Sequence, residues 1–257
     1  MLTGEMELHG RVMPASNATF VGTLRDGGTA TQVVYKPIAG ERPLWDFPGA
    51  VLAHREVAAF HVAETFAGES LPVLVPPTWL GDGPHGEGMV QVWAEPDPDQ
   101  SAVTIVPEGE VPAGYLHVFD GIDARDRDIS LVHEDTPTLR QMAVFDALVN
   151  NADRKGGHVL EMTDGRRLGV DHGIAFHSED KLRTVLWGWA GQPLTDDELE
   201  AVLRVRAGLG STLHDLLAPL LGPLEIDCLA RRCDRLVGRG VMPVPRGGGP
   251  AIPWPPF

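Results

Sequence analysis

The sequence predicts an α+β protein of two unlike parts, a small antiparallel sheet carrying one helix and then a mainly helical part. Three observations point there. Short runs of alternating apolar and polar residues, broken by Pro, Asn and Gly, fill the first third. Over 49–66 the period becomes helical, with Leu52, Ala59, Val62, Ala63 and Phe66 on one face. Beyond residue 135 the chain reads as helix starts, apolar stripes and stops.

In order, strands are expected over Glu5–Arg11, 20–24 and 32–36, then the helix of 49–66, then a strand over 88–93. Residues 95–99, with Pro96 and Pro98, read as a stiff acidic connector and as the boundary between the parts. Thr136 and Pro137 open a helix to Val149, the threonine as cap and the proline where its missing N–H costs nothing. Asn150-Asn151 ends it. Thr195 with Glu198 forms a capping box, and amphipathic helices follow over 213–221 and 226–237. The Pro- and Gly-rich stretch 241–257 is expected to lie extended or draped over the surface. The expected domains are therefore 1–95, 96–240 and a tail, 241–257. Trp45, Trp79, Trp187 and Trp189 are expected to pack in the core or between the two parts.

With 257 residues the chain is long enough for one large domain or two small lobes. Its net charge of −15 repels nucleic acid and anionic membrane surfaces over a Debye length of about 8 Å. No apolar run approaches the roughly 20 residues of a membrane span. The first ten residues carry two glutamates where a secretory signal carries lysines, so a cytoplasmic location is expected. Cys228 and Cys233 have neither zinc-site nor redox spacing and are expected to be chemically silent.

Four features carry chemistry. Lys36 ends the apolar run Val33-Val34-Tyr35, where an ordinary surface lysine fits equally well. Glu56 lies with Leu52, Ala59, Ala63 and Phe66 on the apolar stripe of its helix. An unpaired carboxylate there is costly, and Lys36 is the obvious partner; the alternative is a stripe-edge side chain reaching water. Over 145–160 a helix halts in a polar loop and a strand restarts. Asp153 is placed there to take a proton from a hydroxyl or orient it, and Asn151 and His158 suit tying the loop or touching a metal. A plain Asn-Asp turn with Gly156-Gly157 also fits. Finally, the apolar run 168–170 delivers Asp171 into a glycine-containing turn, either as the tip of a hairpin or as the ligand of a hard divalent cation on phosphate.

The ordered set Lys36, Glu56, Asp153, His158 and Asp171 resembles the phosphatidylinositol 3-/4-kinase-like superfamily. It is closest in wording to type II phosphatidylinositol 4-kinases and more loosely similar to HipA-type kinases. The catalytic-loop wording is carried by Asn151-Ala152-Asp153-Arg154 and then His158, and the metal motif by Val170-Asp171-His172-Gly173-Ile174-Ala175-Phe176. The resemblance implies a two-lobed protein-kinase-like fold and ATP-dependent phosphotransfer with Mn²⁺ or Mg²⁺. In that reading Lys36 holds the α/β phosphates, Glu56 positions Lys36, and Asp153 acts on the acceptor hydroxyl with Asn151 and Arg154 beside it. Asp171 and His158 bind the metal, Gln91, Val92 and Trp93 line the adenine pocket, and residues 14–19 cover the phosphates. His158 stands where the family has Asn, which implies a preference for Mn²⁺ or else a nucleotide-binding pseudokinase. Lys181 and Arg183 are the only cations over 177–189, so a protein or small-molecule hydroxyl is a better acceptor than a membrane lipid. A third reading is a metal-dependent hydrolase using His158, Asp171, His172 and His177.

Overall fold

The computed structural model describes residues 4–12, 17–245 and 249–257. β1 (Glu5–Arg11), β2 (Phe20–Asp26) and β3 (Thr29–Pro37) form an antiparallel meander. After α1 (Leu52–Ala67), β4 (Thr78–Gly83) and β5 (Gly86–Val92) complete a five-stranded sheet in the order β1-β2-β3-β5-β4. Alternation sorts its side chains: Val33, Tyr35 and Val90 pack with Met6, Leu24 and Trp79, while Met89 meets Ala53 and Val57 of α1. Lys36 pairs with Met89 across the sheet and so shares the face that looks at α1.

The start of α1 is held from outside. Leu52 and Ala53 donate their backbone N–H groups to the two oxygens of Glu41, at 2.8 and 2.7 Å, so a carboxylate satisfies the orphan donors of the first turn.

The part after residue 95 departs from expectation at its beginning. β6 (Val103–Pro107), β7 (Tyr115–Ile122) and β8 (Asp128–Glu134) form a three-stranded antiparallel sheet, ordered β6-β8-β7, ahead of any helix. α2 (Pro137–Val149) follows, then the short hairpin β9 (Val159–Glu161) and β10 (Arg167–Gly169), then α3 (Asp196–Gly208), α4 (Thr212–Leu217) and α5 (Pro223–Arg239). This is the mixed α+β arrangement the sequence predicts, with the second sheet added. One apolar core runs through α1, α2, α3 and α5, and includes an edge-to-face pair of Phe66 and Phe145 with ring centroids 6.1 Å apart. Such a pair adds about 0.5–1.5 kcal/mol beyond area burial.

Three smaller expectations are corrected. α2 begins where foreseen, but the Thr136 side chain makes no capping bond; Pro137, with φ already helical, is what starts the helix. The helix expected over 213–221 is only six residues, Thr212–Leu217. Trp45 is 92% exposed, while Trp79 and Trp189 are buried. By contrast the Thr195–Glu198 capping box forms in both directions. Among the described residues no helix is long and apolar enough to cross a membrane.

Candidate active site

Four elements converge on one point: the end of β3, the middle of α1, the loop after α2 and the turn after β10. Lys36 Nζ lies 2.7 Å from Glu56 Oε1 and 2.8 Å from Asp171 Oδ1. The second oxygen of Glu56 accepts the backbone N–H of His172 at 2.9 Å, so this 2%-exposed carboxylate is satisfied by a lysine and an amide. Burial alone would draw the Lys36 amine down, and Asp171 and Glu56 more than reverse it, so its pKa rises. Burial pushes Glu56 up against the pull of Lys36, and Lys36 holds Asp171 below the usual carboxylate range. Asp171 itself has φ of 61°, in the left-handed region, where a non-glycine residue stores strain that clusters at functional sites.

The loop after α2 is built on an ion pair that does not reach solvent. Arg154 donates from Nε to Asp146 Oδ2 at 2.8 Å and from a terminal nitrogen to Asp146 Oδ1 at 2.9 Å, and both residues are fully buried. Its other terminal nitrogen donates to the carbonyls of His158, at 2.9 Å, and Val170, at 3.2 Å. One guanidinium thus ties α2 to the loop and to the strand that delivers Asp171. Gly169 is required beside it, since a Cβ there would lie 2.8 Å from the guanidinium. Asn151 donates to Asp146 at 3.0 Å and accepts the Asp153 N–H at 3.0 Å. Arg154 and Asn151, expected in the catalytic set, are both fully buried, bonded to Asp146 and to the backbone of the loop that carries Asp153.

Asp153 is partly exposed, with Lys155 Nζ at 3.3 Å. Burial raises its carboxyl above the ordinary value against the charges of His158 and Lys155. His158 Nδ1 lies 2.8 Å from the Asp153 carbonyl, which can only accept, so Nδ1 carries the proton. In the neutral ring Nε2 then turns a lone pair toward Asp171 Oδ2, 3.4 Å away. Two lone-pair donors facing each other favour a cation between them. Among the described residues no three His, Cys, Asp or Glu side chains gather to cage a metal. A pair of donors fits an ion that completes its shell with water and phosphate oxygens.

The nucleobase-lining expectation divides. Gln91 shares the Lys36 face and is buried, donating to Thr78 Oγ1 at 2.9 Å. Val92 pairs with Val33 and packs with the Trp79 cluster, so strand alternation turns its side chain away from Lys36. Trp93 lies just past the strand and donates to Glu95 at 2.6 Å. Residues 14–16, half of the segment expected over the phosphates, lie outside the described residues. His172 and His177 do not join His158 and Asp171 in a hydrolase-like ligand set. His177 packs its ring edge-on to Phe47 and accepts the Glu179 N–H on Nδ1.

His172 is fully buried, with Nε2 2.7 Å from an Arg154 nitrogen. A guanidinium only donates, so the imidazole accepts and is neutral, and burial and Arg154 hold its pKa well below 6.5. His133 is likewise buried neutral, its Nε2 accepting the Gly188 N–H at 3.0 Å. Below pH 6.5 the unfolded chain takes up protons on these rings that the folded chain refuses. Stability must then fall on acidification, by about 1.4 kcal/mol per pH unit for each ring until its folded pKa is reached. Urea unfolding between pH 7 and pH 5 should show this slope. His172→Gln, which keeps an acceptor for Arg154, should lower it by about one ring's share.

Fold and site together define an α+β protein whose centre is a strand lysine clasped between a helix glutamate and a loop aspartate. No protein-family model matches the chain. It is 45% identical over 263 residues to Protein Rv2133c of Mycobacterium tuberculosis, across 99% of this chain and 93% of that protein, and it belongs to that protein's family. Among solved structures the chain is similar to the Helicobacter pylori proinflammatory kinase CtkA, with a TM-score of 0.45 and 14% identity over 93% of this chain and 95% of that one. A likeness that distant carries no residue roles across.

Proposed function

We propose that this protein is an ATP-dependent phosphotransferase of the phosphatidylinositol 3-/4-kinase-like type, with a protein or small-molecule hydroxyl as acceptor. The observation that carries the reading is the clasp of Lys36 by Glu56 and Asp171, at 2.7 and 2.8 Å. These three side chains come from distant points of the chain and meet at one point. Lys36, held charged and oriented by Glu56, is the group to pair with α/β phosphate oxygens. Gln91, on the same sheet face, extends the site toward the base. Asp153, with its raised pKa, is suited to take the proton of an attacking hydroxyl. Asp171 and His158 would hold the divalent ion, which when bound supplies charge neutralisation on the phosphates.

Radiolabel transfer from γ-labelled ATP, to the protein itself or to candidate acceptors, tests the reading. Label on the wild-type protein that is lost in both Asp153→Ala and Asp171→Ala is expected; label unchanged in both would refute the assignment. The imidazole of His158 favours Mn²⁺ over Mg²⁺. His158→Asn should therefore shift the ratio of the two rates toward Mg²⁺, as measured by the same transfer with each ion.

His158 also favours a second reading, a nucleotide-binding pseudokinase, because one imidazole replaces the expected oxygen donor. It is recognised by ATP raising the melting temperature with no loss of γ-phosphate under either ion.

A further inference from the structure

A second pocket, of about 420 Å³, opens behind the loop that carries Asp153, between residues 179–187, α5 and the chain after it. Its floor adjoins that loop: Arg183 N–H donates to the Asn151 carbonyl at 3.0 Å, and the Arg183 carbonyl accepts from Arg154 N–H at 3.0 Å. The pocket's charge is opposite to that of the chain. Lys181, Arg183, Arg232, Arg235 and Arg239 stand against Glu179 and Asp180, in a protein of net charge −15. Lys181 is engaged with Asp46, and Arg235 with Asp180. Arg183 and Arg239 have no ion-pair partner among the described residues.

Arg232 is the decisive member. It is 3% exposed, and its hydrogen bonds go only to neutral oxygens: Nε donates to the Leu148 carbonyl at 2.8 Å and Nη1 to the His177 carbonyl at 3.2 Å. Its Nη2 has no hydrogen-bond partner. Burial draws its pKa down to about 10, which leaves it charged at neutral pH. Asp180 bears on its charge but is held by Arg235, and a buried guanidinium with an N–H left unpartnered is costly unless something supplies the missing acceptor. Trp187 and Met242 add apolar wall to the same pocket, whose size is that of a small-molecule site.

The structure assigns this pocket as a binding site for an organic oxyanion, a phosphate or carboxylate on an apolar body, held by Arg232 with Arg183 and Arg239. The site is separate from the Lys36 centre and does not rest on the kinase reading.

The test is calorimetric titration of the intact protein, in phosphate-free buffer, with phenyl phosphate, phenylacetate and the neutral benzyl alcohol. At least one of the two anions is expected to bind while benzyl alcohol does not, and the tighter of them names the headgroup. Because Arg232 is buried and its replacement endangers the fold, the variants are Arg183→Gln and Arg239→Gln, combined. The double variant should weaken anion binding by about tenfold or more, the loss of one charge-assisted hydrogen bond or two. Absence of binding by both anions, binding of benzyl alcohol equal to theirs, or an unchanged affinity in the double variant would each overturn the assignment.

Discussion

In Asp171→Ala, phosphate transfer from ATP is expected to fall by about 10²–10³-fold or more, the usual consequence of deleting one element of preorganised charge stabilisation. The fold should survive, because Asp171 is half exposed and the buried carboxylate of the clasp, Glu56, keeps both Lys36 and the His172 amide. Lys36→Met behaves differently. It strands Glu56 at 2% exposure with only one backbone donor, so a loss of transfer should come with a loss of stability. Comparing the two variants by transfer and by urea unfolding separates the chemical role of the clasp from its structural one. An Asp171→Ala protein that transfers as well as wild type would remove the aspartate from the site; one that fails to fold would mean that the clasp is structural.

The Lys36–Glu56 half of the clasp was legible in the sequence for one physical reason. A glutamate on an apolar helix stripe demands a partner, and a lysine at the end of an apolar strand is a partner able to reach it. The Asp146–Arg154 pair obeys the same rule and was not read. Asp146 lies in α2 among Met142, Phe145 and Val149, all buried, and so advertised a need for a cation as plainly as Glu56 did. Arg154 was instead placed in the catalytic set through the resemblance of Asn151-Ala152-Asp153-Arg154 to a kinase catalytic loop, which says nothing of where the guanidinium is buried. The β6-β8-β7 sheet escaped because Gly, Pro and Asp interrupt its alternation, and its partly exposed strands bury few large side chains. The pocket behind the loop was unreadable, since its cations come from 181–183 and from the one face of α5 that turns back toward them.

Arg154→Met is expected to be the most destabilising single change in the site. Asp146 would keep Asn151 as a donor but lose two guanidinium bonds at full burial; the Val170 carbonyl would lose its side-chain donor, and the His158 carbonyl would keep only the Val170 N–H. Breaking a buried pair from one side costs about 3–5 kcal/mol. In a chain of this length that lowers the melting temperature by roughly 6–20 °C. Arg154→Lys should not rescue it, because one ammonium cannot reproduce a fork that reaches two carboxylate oxygens and two carbonyls together. Removing both charges, in Asp146→Asn with Arg154→Met, should recover part of the loss, since the penalty comes from the stranded carboxylate rather than from the missing attraction. Calorimetric melting of the two single variants and the double variant measures that coupling. A double variant no more stable than Arg154→Met would mean that Arg154 acts through the loop carbonyls, and that the carboxylate of Asp146 finds another donor when the arginine is gone.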